Sequence, residues 1–291
     1  MDRADARDGE WLGMINRWIG IATLGLMLSV NAALLMRDVL PDWLAGEPPE
    51  SRALQLGPGD ELKVQFGIYD RERHCIGHSW TRSTRTGDLV SVRHRTVIRA
   101  PHLPVDTELK AVRIDTHLNF HKDVGLDELR VHVFGPGVTI KLEGEFYLPD
   151  DFACKWQVGE RRGKFQLPAH ATRAMGDVIR PFESLTGLYV GRSWRLELLN
   201  PLSGIIPDWG ARNMMTDGVL VRVTRMEDVV HRGALVQAFV LETEKLRAWV
   251  TPDGRVIRQE FDLPLLGTLT LVDEPYDDEL RQQELREAMA R

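Results

Sequence analysis

From Glu61 onward, apolar and polar residues alternate along the chain. Leu62, Val64, Phe66 and Ile68 alternate with mostly polar neighbours, and after a break at Arg71-Glu72-Arg73 the pattern resumes from Ile76 to Ser83. Past a turn at Thr86-Gly87-Asp88, the residues Val90, Val92, Thr96 and Ile98 share one face, with Arg93, Arg95 and Arg99 on the other. Val112, Ile114, Thr116, Leu118 and Phe120 lie opposite Arg113, Asp115, His117 and Asn119. Leu129, Val131 and Val133 follow the same rule. So do Val138, Ile140, Leu142, Phe146 and Leu148 after Gly135-Pro136-Gly137, and then Phe152, Cys154, Trp156 and Val158. A period of two predicts strands, and one wet face per strand marks antiparallel pairing rather than a parallel sheet covered on both sides.

Strands are expected again over 194–199, 219–226, 234–244, 245–250, 255–261 and 267–272, with Thr251-Pro252-Asp253-Gly254 as a hairpin turn. About a dozen strands with one apolar face each predict a mainly β fold. The expected form is a large curved antiparallel sheet or half-barrel with a short helical plug, and a two-sheet sandwich is the alternative. Asp277 to Arg291 reads as a charged amphipathic helix with a thin stripe of Leu280, Leu285 and Met289.

The rhythm breaks between Ala169 and Gly191. Ile179, Phe182, Leu185, Leu188 and Tyr189 are too apolar for a free surface loop, while Gly176, Pro181, Gly187 and Gly191 prevent one long helix. Such a segment is stable only against another apolar surface, and the concave face of the sheet is the nearest. These five residues are the candidate ligand-contacting positions, whether the segment is a fixed cover or a lid.

Upstream, Trp18 to Met36 carries no charge and spans about 28 Å as a helix, close to the ~30 Å of a bilayer core. Trp11, Trp18 and Trp43 sit where interfacial aromatics belong. A cleaved signal ending near Val30-Asn31-Ala32 competes with this reading, but the apolar run continues to Met36. The expected organisation is a tail over 1–17, a transmembrane helix over 18–36, a Pro/Gly-rich linker over 37–59, a β-rich domain over 60–273 and a C-terminal helix over 274–291. Arg3, Arg7 and Arg17 before the helix, against Arg37 and Arg52 after it, lean toward a cytoplasmic N-terminus. The C-terminal domain is then periplasmic, on a single-pass inner-membrane anchor.

Composition narrows the chemistry. A net charge of −6 argues against a general nucleic-acid-binding role, and two cysteines exclude a disulfide scaffold or a four-Cys zinc site. Cys75 and Cys154 could form one disulfide or remain two buried thiols. His74 and His78, and His117 and His121, are spaced by four, a ligand spacing on a helix; on a strand the second pair stands about 13 Å apart. No Gly-x-Ser-x-Gly, phosphate loop or dinucleotide fingerprint is present, and no cofactor or metal is expected. Cys75 has basic neighbours in Arg71, Arg73 and His74 that could lower its pKa, though a structural role explains it as well. Arg82, Arg85, Arg93, Arg95 and Arg99 would gather on one surface if the second and third strands pair. That surface could meet anionic headgroups near a bilayer, or be a solvated face balanced by acidic neighbours.

Three features in this order resemble the lipoprotein-carrier group of bacterial envelope proteins. They are the opening hairpin from Phe66-Gly-Ile-Tyr69 to Ile76-Gly-His-Ser-Trp80, the irregular segment from Ile179 to Trp194, and the closing hairpin from Ala248 to Val256 followed by Gly267-Thr-Leu-Thr-Leu271. The resemblance covers roughly Asp60 to Val272. It implies an incomplete barrel that holds acyl chains or serves as a non-catalytic envelope module; a retained transmembrane helix departs from soluble carriers. The expected function is therefore a membrane-anchored, non-enzymatic domain binding a lipid or other apolar ligand in a concave β-interior. A scaffold or accessory subunit of a membrane complex is the alternative, and a hydrolase comes third. The expected partners are the membrane, a lipid and membrane-complex proteins.

Overall fold

The computed structural model describes residues 46, 49, 56–99, 111–121, 125–135, 138–148, 151–168, 185–196, 219–244, 246–263 and 267–289. The expected transmembrane segment 18–36 lies outside the described residues, as do Ile179 and Phe182. Among the described residues no helix is long and apolar enough to cross a membrane.

The alternating segments form strands β1 (Glu61–Tyr69), β2 (Cys75–Thr86), β3 (Leu89–Arg99), β4 (Ala111–His121), β5 (Gly125–Gly135), β6 (Val138–Leu148) and β7 (Asp151–Val158). They continue with β8 (Arg161–Pro168), β9 (Ser193–Leu196), β10 (Val219–His231), β11 (Ala234–Glu242), β12 (Leu246–Val250), β13 (Val256–Leu263) and β14 (Gly267–Glu274). All 14 belong to one antiparallel sheet in the order β8-β7-β6-β5-β4-β3-β2-β1-β14-β13-β12-β11-β10-β9. A single sheet excludes the two-sheet sandwich. The first and last strands pair with each other, and β8 and β9 form the two edges, so the sheet is curved but unclosed.

The curvature shows in one buried carboxylate. Asp273 on β14 lies 3.0 Å from His231 and from Arg232 at the far end of β10, and 2.7 Å from Arg255. In a flat sheet, four strand spacings of about 4.8 Å would separate β14 from β10 by about 19 Å. Contact requires the sheet to curl toward the face that carries Asp273.

That inner face holds both main apolar clusters. One gathers Val92, Leu118, Leu126, Leu129, Phe152 and Cys154, and the other Phe66, Trp194, Val221, Val223, Leu241 and Val256. The sequence pattern missed β8, and its packing explains why. A Cβ at Gly163 would sit 2.5 Å from the Trp156 ring. The tryptophan of β7 fills the space that an apolar β8 residue would otherwise occupy, so the signal appears on the neighbouring strand.

Residues 185–192 of the expected helical plug are not helical. Their backbone groups bond to the sheet instead: the Leu185 amide donates to Gly254 at 2.8 Å, and the Gly191 amide to Val223 at 2.8 Å. Leu185 and Leu188 pack on the second apolar cluster, whereas Tyr189 is 62% exposed.

Helix α1 (Asp278–Met289) is capped by Asp277, whose carboxylate accepts from the amides of Glu279 at 2.9 Å and Leu280 at 3.0 Å. Its apolar stripe packs on the outer face, where Leu285 and Leu280 meet Trp80 and Val97. Cys75 and Cys154 are both free thiols.

Candidate functional site

The strand register places outer-face residues of β2 to β5 in two cross-strand rows. In one, Arg82 faces Arg93, Arg93 faces His117, and His117 faces Arg130; in the other, Trp80, Arg95, Asp115 and His132 follow in turn. Together with Tyr276 and Arg281 beside helix α1, these rows line an open cleft of about 480 Å³. That volume is in the range of small-ligand sites.

The charge balance of the cleft is uneven, with five arginines and one carboxylate among its lining residues. Some of the arginines are neutralised at the rim. Arg82 pairs with Glu61, Arg130 with Glu128, and Arg281 with Asp278 at 3.0 Å. On the floor, Arg95 and Arg113 share Asp115 at 2.5 Å and 3.1 Å. Arg93, at the centre of the arginine row and exposed, has no acidic partner among the described residues. His117 registers the local field: burial and the nearby charge of Arg93 hold its pKa below the usual histidine value, against an opposing pull from Glu128. Its ring is held by Ser91 at 3.0 Å.

Like charges directly opposite each other on neighbouring strands destabilise a sheet. Arg82 and Arg93 stand opposite each other in the cleft, where Glu61 offsets the charge of Arg82 and no acidic partner among the described residues offsets that of Arg93. Chemically, the row can accept a phosphate or carboxylate through several charge-assisted hydrogen bonds, with Trp80 and Tyr276 as an aromatic wall.

Three of the five clustered arginines noted in the sequence, Arg82, Arg93 and Arg95, line this cleft. Arg85 instead closes the β2–β3 turn through the carbonyls of Leu56 at 2.7 Å and Gly87 at 3.0 Å, and Arg99 reaches Glu284 on α1. Arg130, Tyr276 and Arg281 escaped sequence reasoning because β5 and the C-terminal helix join the site only through tertiary packing. Leu185, Leu188 and Tyr189 lie away from it, beside the second inner cluster or in solvent.

No protein-family model and no curated protein matches the sequence. Among solved structures, the chain is similar to a β-barrel-like protein of a domain of unknown function, DUF1849, from Brucella abortus. The likeness has 9% identity and a TM-score of 0.43, and covers 76% of this chain and 100% of that one.

Proposed function

We propose that the chain is a membrane-anchored envelope domain that binds an anionic lipid, with the headgroup seated in the arginine-lined cleft. The observation that carries this reading is the row Arg82–Arg93–His117–Arg130, which opposes like charges across paired strands and leaves Arg93 without an acidic partner among the described residues. Packing favours this cleft over the inner face as the ligand's seat. Leu118, Leu126, Leu129 and Phe152 on the inner face are fully buried against one another, whereas the cleft is open to solvent. A domain tethered by residues 18–36 would work at the headgroup layer, where basic residues gain about 1 kcal/mol each from anionic lipid.

The test uses the full chain in non-ionic detergent, titrated with short-chain phosphatidylglycerol, short-chain phosphatidylcholine and inorganic phosphate. Saturable binding of the anionic lipid alone is expected, weakening as salt rises and at least tenfold in the Arg93→Gln/Arg130→Gln variant. Phosphate binding as tightly as the lipid would reassign the site to free phosphate. Absence of saturable binding, or an unchanged double variant, would overturn the reading.

A second reading, docking to a membrane complex, draws on the β10–β11 hairpin. There the paired Val230 and Leu235 are 72% and 68% exposed. Loss of co-purifying membrane proteins in a Val230→Ser/Leu235→Ser variant would support it.

A further inference from the structure

A second group of side chains lies on the other flank of helix α1. The Cys75 sulfur is 3.7 Å from Nε2 of His78, and Nδ1 of the same ring is 2.8 Å from Oε1 of Glu284. Cys75 belongs to β2, as does His78, while Glu284 comes from α1, more than two hundred residues away along the chain.

Cys75 and His78 are three apart, a spacing that places strand residues on opposite faces. A bulge removes the conflict. Ile68 pairs with Gly77 but Tyr69 pairs with Cys75, so Ile76 is an extra residue in β2. Its side chain joins the apolar cluster of Ile68 and Leu269, and Cys75 emerges on the same side as His78. Bulges of this kind re-aim side chains and recur beside functional sites.

The surroundings make the group more than a fastening for α1. His78 and Glu284 are 7% and 4% exposed, and the Trp80 ring lies against the imidazole with centroids 5.6 Å apart. Arg99 also binds Glu284, yet Oε2 of Glu284 is buried with no hydrogen-bond partner among the described residues. Glu274 comes within 3.6 Å of Nε2, but its two oxygens already accept from Tyr69 at 2.7 Å and Gln65 at 3.2 Å. Nε2 therefore lies between the Cys75 sulfur at 3.7 Å and Glu274 at 3.6 Å.

Burial opposes charge on His78, but its bonds to Cys75 and Glu284 outweigh this and push its pKa up to about 10. The hydrogen bond from His78 lowers the Cys75 pKa, against an opposing effect of burial. Cys154 shows the contrast: inside the first apolar cluster, burial alone pushes it up to about 12.

We propose that Cys75 is a nucleophile that accepts acyl groups from activated esters or thioesters, with His78 as its proton carrier and Glu284 as the group that orients His78. With the Cys75 proton already on Nε2 of His78, the thiolate attacks the carbonyl carbon, a C–S bond forms, and the bond to the leaving oxygen or sulfur breaks. The Nε2 proton passes to the leaving group, yielding S-acyl-Cys75, a free alcohol or thiol, and neutral His78. Neither oxidant nor metal enters the balance. Nucleophile, base and orienting carboxylate in hydrogen-bond sequence are the arrangement such transfer requires. This activity is independent of the headgroup cleft.

The experiment treats the full chain in non-ionic detergent with p-nitrophenyl acetate, following p-nitrophenol release and locating the acetyl group by peptide mass. A burst near one equivalent with acetyl on Cys75 is expected. It should be abolished in Cys75→Ala, retained in Cys154→Ala, and slowed at least tenfold in His78→Gln. Because His78→Gln can also loosen α1, the unaltered chain provides a second measurement, the pH profile of iodoacetamide alkylation. Cys75 should alkylate with a midpoint below the ordinary thiol value of about 8.5, and Cys154 only after unfolding. The facing groups that set this profile are Tyr69, His78, Arg99, Glu274, Glu284 and Glu287. Acetylation confined to lysines or Cys154, an ordinary-thiol midpoint, or an unchanged His78→Gln rate would overturn the proposal. So would oxidation of Cys75 by hydrogen peroxide in a chain that p-nitrophenyl acetate leaves unmodified. Phosphatidylglycerol binding in Cys75→Ala reports on the cleft alone, so the two readings fail separately.

Discussion

Strands β3 to β5 carry two adjacent rows of side chains with opposite fates. On the inner face Val92, Leu118 and Leu129 stand across from one another and are essentially inaccessible; one residue along each strand, Arg93, His117 and Arg130 line an open cleft. Backbone and hydrogen bonding are shared, so only the side chains and what covers them differ. The inner row is stabilised by removing apolar area from water and by close packing. The outer row is more open, with Arg130 paired to Glu128, His117 held by Ser91, and Arg93 facing the like charge of Arg82. The inner row accounts for the core, and the outer row is where binding is to be sought.

The largest expected effect comes from breaking the inner row. Leu118→Ala should lower unfolding stability by about 3–5 kcal/mol in urea titration, through lost burial and the cavity left behind. A loss under about 1 kcal/mol would mean that this face is not close-packed.

A middle-sized effect is expected where helix α1 rests on the outer face. Removing one member of a buried charged pair leaves the other uncompensated, so Glu284→Ala should cost about 3 kcal/mol. The same contact sets a pH window. His78, raised to about 10 in the fold, contributes fully below its unfolded value of about 6.5, and that contribution is lost as pH climbs through about 10. Glu284 is opposed by burial but held below the usual carboxylate range by His78 and Arg99. It contributes above about 4.3 and loses its contribution as pH falls through its lower folded value. Tryptophan fluorescence, to which Trp80 under α1 contributes, should therefore be constant around neutrality and change at both extremes; a transition near pH 6.5 would contradict the His78–Glu284 contact.

The smallest effect discriminates best between the two rows. Arg93→Gln relieves repulsion from Arg82 and should stabilise the ligand-free chain by a few tenths of a kcal/mol, up to about 1, while weakening anionic-lipid binding. Glu145→Ala, on the same wet face but outside the cleft, should stay within about 0.5 kcal/mol and leave binding unchanged. If Arg93→Gln destabilises the chain, the arginine row is structural.

Local pattern alone determined most of the strands, because a half-buried strand must alternate and Leu118 or Leu142 can be placed from neighbours two residues away. The C-terminal helix was legible from its stripe of Leu280, Leu285 and Met289, while its cap at Asp277 came only from the structure. The pattern was silent where the deciding contact is distant. β8 was missed because Trp156 fills the space above Gly163, and residues 185–192 resisted assignment because the amides of Leu185 and Gly191 bond to Gly254 and Val223, far away in sequence. The arginine row was half visible: the residues of β2 and β3 could be grouped on paper, but Arg130 and Arg281 needed register and helix packing. Of the cysteine group, only Cys75 stood out in the sequence, and its partners did not. Its basic sequence neighbours Arg71 and Arg73 are exposed, and the groups that act on Cys75 are His78, brought to its side by a bulge, and Arg99. Alternation is a short-range consequence of burial and so is written in the residues themselves. Register shifts and the docking of α1 arise from the balance of the whole sheet, and only tertiary structure brings Glu284 to His78.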